Sequence, residues 1–503
     1  MKKLASLVLA LVLVLSCLSA LADYTGTSPV FEEPTTISIL TCNGGTKRTD
    51  FETMTWWQEV LKRANVDLKL EIIDDSTYGD VAQPRLTAAQ DLPDIVKISG
   101  SETALAKSNV FLPLNELLED YGYNINKYFE KYPNVKAALT MEDGNIYYIP
   151  YFYTTESNSR TLMINTQFLA ALDMTMDDIK TVDDWYDYLV AVKENDVNGN
   201  GDPDDEIPLF MRSGMINLIA MYWGLDIENT NGYPIDADGN VFCAYITDEY
   251  REFLEFVNKL YTEGLLYNEF LSANYDMQTA AFSENKVGSI VHFVSNCTDY
   301  SMDINSGWDF YNDEPIMQIL ALENKDGNPV VYGRGVIGPK FGITANSKEP
   351  EAAMKFLDYM YSDEVGILTW YGIEGTEYEL VDGEYKFNKI YFDSNYTDDC
   401  GYNMDALAGT QYDYAAKQCE TIFKQIHAVA PYTWNPTRVD KYYTTEQQEV
   451  LTTYRTDLNT YFKENYTAFM IGTRSLDEWD AYVAGAYEMG VQAVIDVYQE
   501  AEG

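Results

Sequence analysis

The stretch Asp196-Val197-Asn198-Gly199-Asn200-Gly201-Asp202-Pro203-Asp204-Asp205 carries oxygen side chains at its first, third and fifth positions. Glycine at the sixth position allows a sharp turn, and carboxylates follow at the ninth and tenth. A hard cation such as Ca2+ takes about six to eight oxygens from one tight loop, and this spacing offers them in that manner. The expected side-chain ligands are Asp196, Asn198, Asn200, Asp204 and Asp205, with Asp202 giving its backbone carbonyl. The twelfth position is Ile207 instead of a bidentate Glu, so Asp204 or Asp205 must supply the closing carboxylate. The alternative is an Asn/Gly/Asp-rich turn holding no ion. No paired helix–loop–helix partner is apparent, so the expected role of the ion is structural.

Catalytic chemistry is sparse by comparison. The chain has only 2 histidines, His292 and His427, and His292 sits in an apolar run that reads as core. No G-x-S-x-G, H-E-x-x-H or Walker loop occurs. A glycosidase needs two carboxylates about 5–10 Å apart, and 80 acids leave that pairing open.

The elements that must hold such groups read as α/β. Thr36–Leu40 is a short β-branched strand, and a helix follows from about Phe51 to Ala64. Leu68–Ile73 alternates as a strand, Pro84–Gln90 opens a helix, and Leu92–Val96 gives a third strand. This β-α-β-α-β order implies a parallel sheet covered by helices. Thr181 and Asp184 form a capping box at a helix start. Thr247–Glu263 is amphipathic, Gly288–Phe293 is a strand, Pro350–Tyr361 is helical, and the last hundred residues are mostly helix. Tyr147–Tyr153 reads as an extended crossing between two interleaved lobes. The chain of 503 residues is long enough for two to four domains of roughly 100–200 residues each.

Charge and leader set the environment. Lys+Arg number 34 against 80 Asp+Glu, a net charge of −46 that repels phosphate backbones and argues against nucleic acid as a partner. Residues 1–22 resemble a secretory signal: Lys2 and Lys3, an apolar run from Leu4 to Leu15, then Ala20-Leu21-Ala22. Val14-Leu15-Ser16-Cys17 offers the alternative of a lipid anchor at Cys17. Either route places the protein outside the cytoplasmic membrane, secreted or at the cell surface. The remaining cysteines, Cys42, Cys243, Cys297, Cys400 and Cys419, are odd in number and widely spaced, which fits neither a disulfide framework nor a zinc site.

Several stretches, in a shared order, resemble the bacterial extracellular solute-binding proteins of carbohydrate ABC transporters, family one, in the LplA-like branch. They are Leu92-Pro93-Asp94-Ile95, Asp143–Pro150 (DGNIYYIP), Thr181–Trp185, the Asp196 loop with Glu206-Ile207-Pro208-Leu209, and Leu260–Leu265 (LYTEGL). Asn346–Ala353, Tyr371–Gly375 and Ile471–Tyr482 complete the set. The resemblance implies a two-lobe clamshell of the type II periplasmic-binding-protein kind with a helix-rich C-terminal part. It divides the chain into 23–148 plus about 290–345 for the N-terminal lobe, and 149–289 plus about 346–503 for the C-terminal lobe. It implies a monomeric, non-enzymatic carrier that hands a sugar to an ABC permease. A secreted glycan-active enzyme and a sensor feeding a membrane kinase are the alternatives.

Sugar recognition needs flat aromatic faces and hydrogen-bonding side chains on loops at strand ends. The candidates are Asn43 after the first strand, Tyr151 and Tyr153 past the crossing, Trp223, Trp308, and Trp370 with Tyr371 and Glu374. Trp56 and Trp57 are adjacent on one helix, so one is expected to pack and one to face the ligand. Arg334, between two glycines, could reach an acidic sugar. The global negative charge favours a neutral oligosaccharide.

Overall fold

In the computed structural model, residues 24–502 are described except 44–49, 154–158, 393, 402–406, 408, 411–417, 435–436 and 439–440. The leader, with Cys17, lies outside the described residues. Among those described, no helix is long and apolar enough to cross a membrane.

The TISIL run forms β1 (Thr35–Cys42), with Ile37 and Ile39 buried in one core and Leu40 and Cys42 in another. A strand buried on both faces belongs in a sheet with helices on each side. The chain continues through β2 (Val66–Ile73), β3 (Ile95–Lys97), β4 (Ile149–Phe152), β5 (Arg160–Asn165) and β6 (Ile207–Leu209). Next come β7 (Val287–Phe293), β8 (Met317–Leu320), β9 (Val331–Tyr332) and β10 (Ile337–Ile343). A hairpin, β11 (Tyr378–Val381) and β12 (Glu384–Phe387), precedes β13 (Thr433–Trp434).

These strands form two main sheets. The first has the order β2-β1-β3-β10-β4, with β1 parallel to β2 and β3, and β10 antiparallel to β3 and β4. The second has the order β13-β9-β5-β7-β6, with β8 also pairing β5. The predicted β-α-β-α-β start is present, although the second helix begins at Tyr78 and holds Pro84 inside it. The capping box at Thr181–Asp184 forms, and Thr247 caps the helix Asp248–Thr262.

The expected lobe boundaries need correction. β7 and β8 pair with β5, so residues from about 290 through β9 lie in the second sheet, and only β10 joins the first. The helices Pro350–Tyr359 and Asp363–Trp370 bury Ala353, Phe356, Leu357 and Leu368 in the first core. From Cys419 onward the helical tail packs on the second core. The Gly288–Phe293 run is buried almost throughout, and such a strand suits either sheet equally; its long-range pairing decides.

Candidate functional site

Parallel strands end at the same sheet edge, and ligands of α/β proteins gather beyond such carboxyl ends. β6 and β7 are parallel, with Leu209 opposite Ser289. Beyond β6 stands Arg212, and β7 ends in His292 and Phe293. Arg212 Nη2 donates to His292 Nε2 at 3.1 Å, and His292 Nδ1 meets Asn296 Oδ1 at 3.1 Å. Because Arg212 can only donate, Nε2 accepts and Nδ1 carries the proton. Burial, followed by the charge of Arg212, pushes the imidazole down to about 4, so it is neutral at pH 7.

Two further arginines reach the same aromatic ring. Arg160 opens β5 opposite Phe293, and its guanidinium lies 4.6 Å from that ring and 5.9 Å from the ring of Tyr332. Arg334 follows β9 and lies 3.6 Å from the Tyr153 ring and 5.8 Å from Phe293. Such stacking holds a guanidinium in place without neutralising it. Among the described residues no carboxylate is in ion-pair contact with Arg160, Arg212 or Arg334, whereas Arg63, Arg85, Arg251 and Arg474 each pair with a glutamate. The Nε atoms of Arg160 and Arg212 are buried without a hydrogen-bond partner. Two carboxylates stand nearby in the fold, each with open surface yet walled by protein. Desolvation raises Glu228, against the pull of Arg160, and pushes Asp299 up to about 7 with Asp303 adding to it.

Some of the expected aromatics converge on this region. The rings of Tyr151 and Tyr153 lie 5.4 Å apart, and Tyr151 shares an aromatic cluster with Trp370 and Tyr371. Trp57, Tyr151 and Trp370 line one narrow space with Gly409 and Thr410. Other candidates go elsewhere. Trp56 and Trp57 are both buried, which corrects the expectation that one of them faces the ligand. The helix Thr55–Ala64 is covered on two sides: Trp57 meets Phe51, and Trp56 meets Tyr391. Asn43 is buried and accepts from the Asp75 amide at 2.9 Å, a turn-holding bond. Trp223 packs on Phe253 and Phe256 in the second core, and Trp308 is buried there with Nε1 donating to the Glu314 carbonyl at 3.0 Å. Glu374 is exposed beside the β11–β12 hairpin. Nothing in the local sequence marks Arg160 or Arg212, and the apolar neighbours of His292 read as core. Arg212 and His292 become neighbours only once β6 and β7 pair.

The Asp196 loop folds as a closed turn. Asp196 accepts from the amides of Asn200 at 3.1 Å and Gly201 at 2.9 Å. Asn198 and Asn200 donate their side-chain amides to the two oxygens of Asp205, at 3.2 and 2.8 Å. Asp202 and Asp204 are exposed, and among the described residues no three acidic, His or Cys side chains assemble as a metal cage. Asp196, Asn198, Asn200 and Asp205 gather through these bonds; the side chains of Asp202 and Asp204 are exposed, and the donor expected of Asp202 is its backbone carbonyl. Glu206, which the spacing missed, accepts from the Val197 amide at 3.0 Å, while its Oε2 is buried without a partner. Burial raises its pKa. An orphaned carboxylate oxygen beside two Asp and two Asn side chains is a hard-oxygen donor set, and it fits a Ca2+ ion in chemistry.

Cavities also lie elsewhere among the described residues. One of 560 Å³ opens beside this loop, lined by Glu206, Tyr267, Glu269, Glu284 and Lys286. Another of 330 Å³ lies between Lys107, Met141 and Tyr147 of the first lobe and Tyr442 and Tyr443 of the tail.

The profile of the family described as bacterial extracellular solute-binding protein matches residues 49–367. The fructooligosaccharide ABC transporter substrate-binding protein FusA of Streptococcus pneumoniae serotype 4 is 26% identical over 336 residues, 63% of this chain. The match spans 60% of that relative's length. The crystal structure of the alginate-binding protein AlgQ2 without calcium ion superposes with a TM-score of 0.73 at 23% identity, over 96% of this chain and 99% of that one. The S. pneumoniae FusA EF-hand mutant in complex with fructo-nystose gives 0.71 at 19% identity, over 93% and 98%. The fold is that of the type II periplasmic solute-binding proteins.

Proposed function

The chain belongs to the bacterial extracellular solute-binding protein family, and from that premise we propose that it captures an oligosaccharide between its lobes and delivers it to an ABC permease. The observation that carries this reading is the Tyr153–Arg334–Phe293–Arg160 stack, built where the chain passes between the two sheets. Aromatic rings there offer faces for sugar C–H groups, and guanidinium N–H groups donate to hydroxyls. Hinge closure of two lobes around a ligand converts such a surface into an enclosed site. The relative FusA, named for fructooligosaccharide, supports a sugar cargo. The role is capture and release, without turnover of the sugar. The protein works outside the cytoplasmic membrane, released after Ala22 or held by a lipid on Cys17.

Ca2+ is proposed for the Asp196 loop, held by Asp196, Asn198, Asn200, Asp205 and the free oxygen of Glu206. Bound there, the ion supplies positive charge that relieves the crowded carboxylates. The loop's own residues fix the turn that leads into β6, and so the edge that carries Arg212.

The test is thermal unfolding of the mature protein with a panel of oligosaccharides, read alongside product analysis. A ligand at a hundred times its Kd adds about 2.7 kcal/mol to stability. A saturable rise in Tm with one glycan and no product is the expected result. Product formation would assign an enzyme instead, and no rise with any glycan would remove sugar capture.

A further inference from the structure

Resting on that sugar-capture reading, we propose that the cargo carries an acidic group, and that Arg160, Arg212 and Arg334 form the subsite that receives it. Acids outnumber bases in this chain by 80 to 34, so an arginine has no shortage of carboxylates to pair with. Three that remain without an ion pair, two within about 6 Å of the Phe293 ring and one on its neighbour His292, are a positive site maintained against the overall field.

The surroundings keep these charges in place and leave them available. Arg212 is oriented by a neutral acceptor, His292 Nε2, so its charge is not cancelled. Arg160 and Arg334 rest on aromatic faces, which fix the planar fork and contribute no anion. Buried Nε atoms on Arg160 and Arg212 still lack acceptors. The three side chains are themselves only half-buried, which leaves part of each open to a ligand oxygen. The guanidinium fork matches the two oxygens of a carboxylate or of a sulfate ester better than a single hydroxyl. Glu228 acts on Arg160 at a distance but forms no ion pair with it. The rings of Tyr153 and Phe293 then take the flat face of the same sugar. The net charge of −46 favours neutral cargo only at long range, since salt screens exposed charges beyond about 8 Å at physiological strength.

The experiment is calorimetric titration of the mature protein, with calcium present, against four acidic probes and their uncharged forms. The probes are trimers of galacturonate, mannuronate and glucuronate, and 3′-sialyllactose, each compared with its methyl ester. A neutral trimer and its sulfated derivative complete the set. The expected result is one acidic glycan bound at least tenfold more tightly than its ester, with Arg212→Gln and Arg334→Gln each removing most of that preference. Preference for the sulfated trimer alone keeps the subsite and makes a sulfate ester its ligand. Neutral glycans bound as tightly as their acidic counterparts overturn the inference and leave sugar capture standing. No binding by any glycan, charged or neutral, removes sugar capture and this inference with it. If one variant fails to fold, judged by its Tm without ligand, the acid-to-ester ratio of the wild type decides alone.

Discussion

Lowering the pH should destabilise the protein through His292 by an amount the structure sets. The side chain is 5% exposed and packs against Phe293 and Tyr300, with Arg212 and Asn296 on its two nitrogens and the charge of Arg160 close by. Its pKa falls from 6.5 to about 4 on folding, first through burial and then through Arg212. The unfolded chain therefore takes up a proton as pH drops below 6.5, and the folded chain does so only near 4. The unfolded state binds more protons in that window, so stability is complete above 6.5 and is lost as pH falls toward 4. At about 1.4 kcal/mol per pH unit the full loss is about 3 kcal/mol. His292→Gln keeps a neutral acceptor for Arg212 and does not titrate. In urea unfolding at pH 7.0, 6.0, 5.0 and 4.5, the wild-type stability minus that of the variant should fall by more than about 2 kcal/mol across the series. The chain has only 2 histidines, so ring resonances identify the group directly, with His427→Asn assigning the other. Parallel stability curves, or a His292 resonance titrating near 6.5, would refute this account of the site.

The other expectations concern the loop and the first lobe. Adding Ca2+ to the chelated protein should raise Tm saturably, and Asp196→Asn or Asp205→Asn should abolish the rise; an equal response in the variants would remove the ion from this loop. A Cβ on Gly342 would lie 2.5 Å from Phe111 Cδ1, inside a ring that is itself held edge-on to Tyr148. Gly342→Ala should therefore cost about 1–3 kcal/mol in urea unfolding, and a neutral result would mean that Phe111 has room to move. Buried Asp358 accepts from Tyr24 Oη at 2.8 Å and from the amides of Asn124 at 2.7 Å and Ile125 at 2.9 Å. Asp358→Ala orphans those donors and should cost about 3 kcal/mol. Asp358→Asn, which retains one acceptor oxygen, should recover part of it, and equal losses in the two variants would assign the effect to packing.

What was legible in the sequence followed from local physics. Helix Asp248–Thr262 shows itself by the period of Phe253, Val257 and Leu260 and by the Thr247 cap, all within one short window. The TISIL strand and its β-α-β sequel are equally local. The lobe assignment was not legible, because a strand buried on both faces, such as Gly288–Phe293, carries no mark of its partner. Nor could the two tryptophans at 56 and 57 be sorted, since burial of both depends on Phe51 and Tyr391, one nearby and one far along the chain. Arg334 stood out by its flanking glycines. Arg212 and His292 are eighty residues apart and carry no shared motif; only the β6–β7 pairing joins them.

The same crossings that carry the stack also determine where the lobes can turn. One link runs from β4 to β5 and includes Tyr153; another runs from β9 to β10 and includes Arg334, which stacks on Tyr153. The ends of the second link are packed tight. A Cβ on Gly333 would lie 2.7 Å from the Trp434 carbonyl oxygen, and one on Gly338 would lie 2.9 Å from that of Tyr151. Gly335, between them, has nothing within 4 Å of such a Cβ. Rotation between the sheets is therefore expected to be absorbed at Gly335, the glycine of this link with open space around its Cβ position. A β-branched residue there narrows the backbone angles without a steric clash. Gly335→Val should leave Tm without ligand nearly unchanged and reduce the contraction on cargo binding seen by small-angle scattering. An undiminished contraction would move the hinge to the other links. A large loss of Tm would mean that the space around Gly335 is occupied in solution.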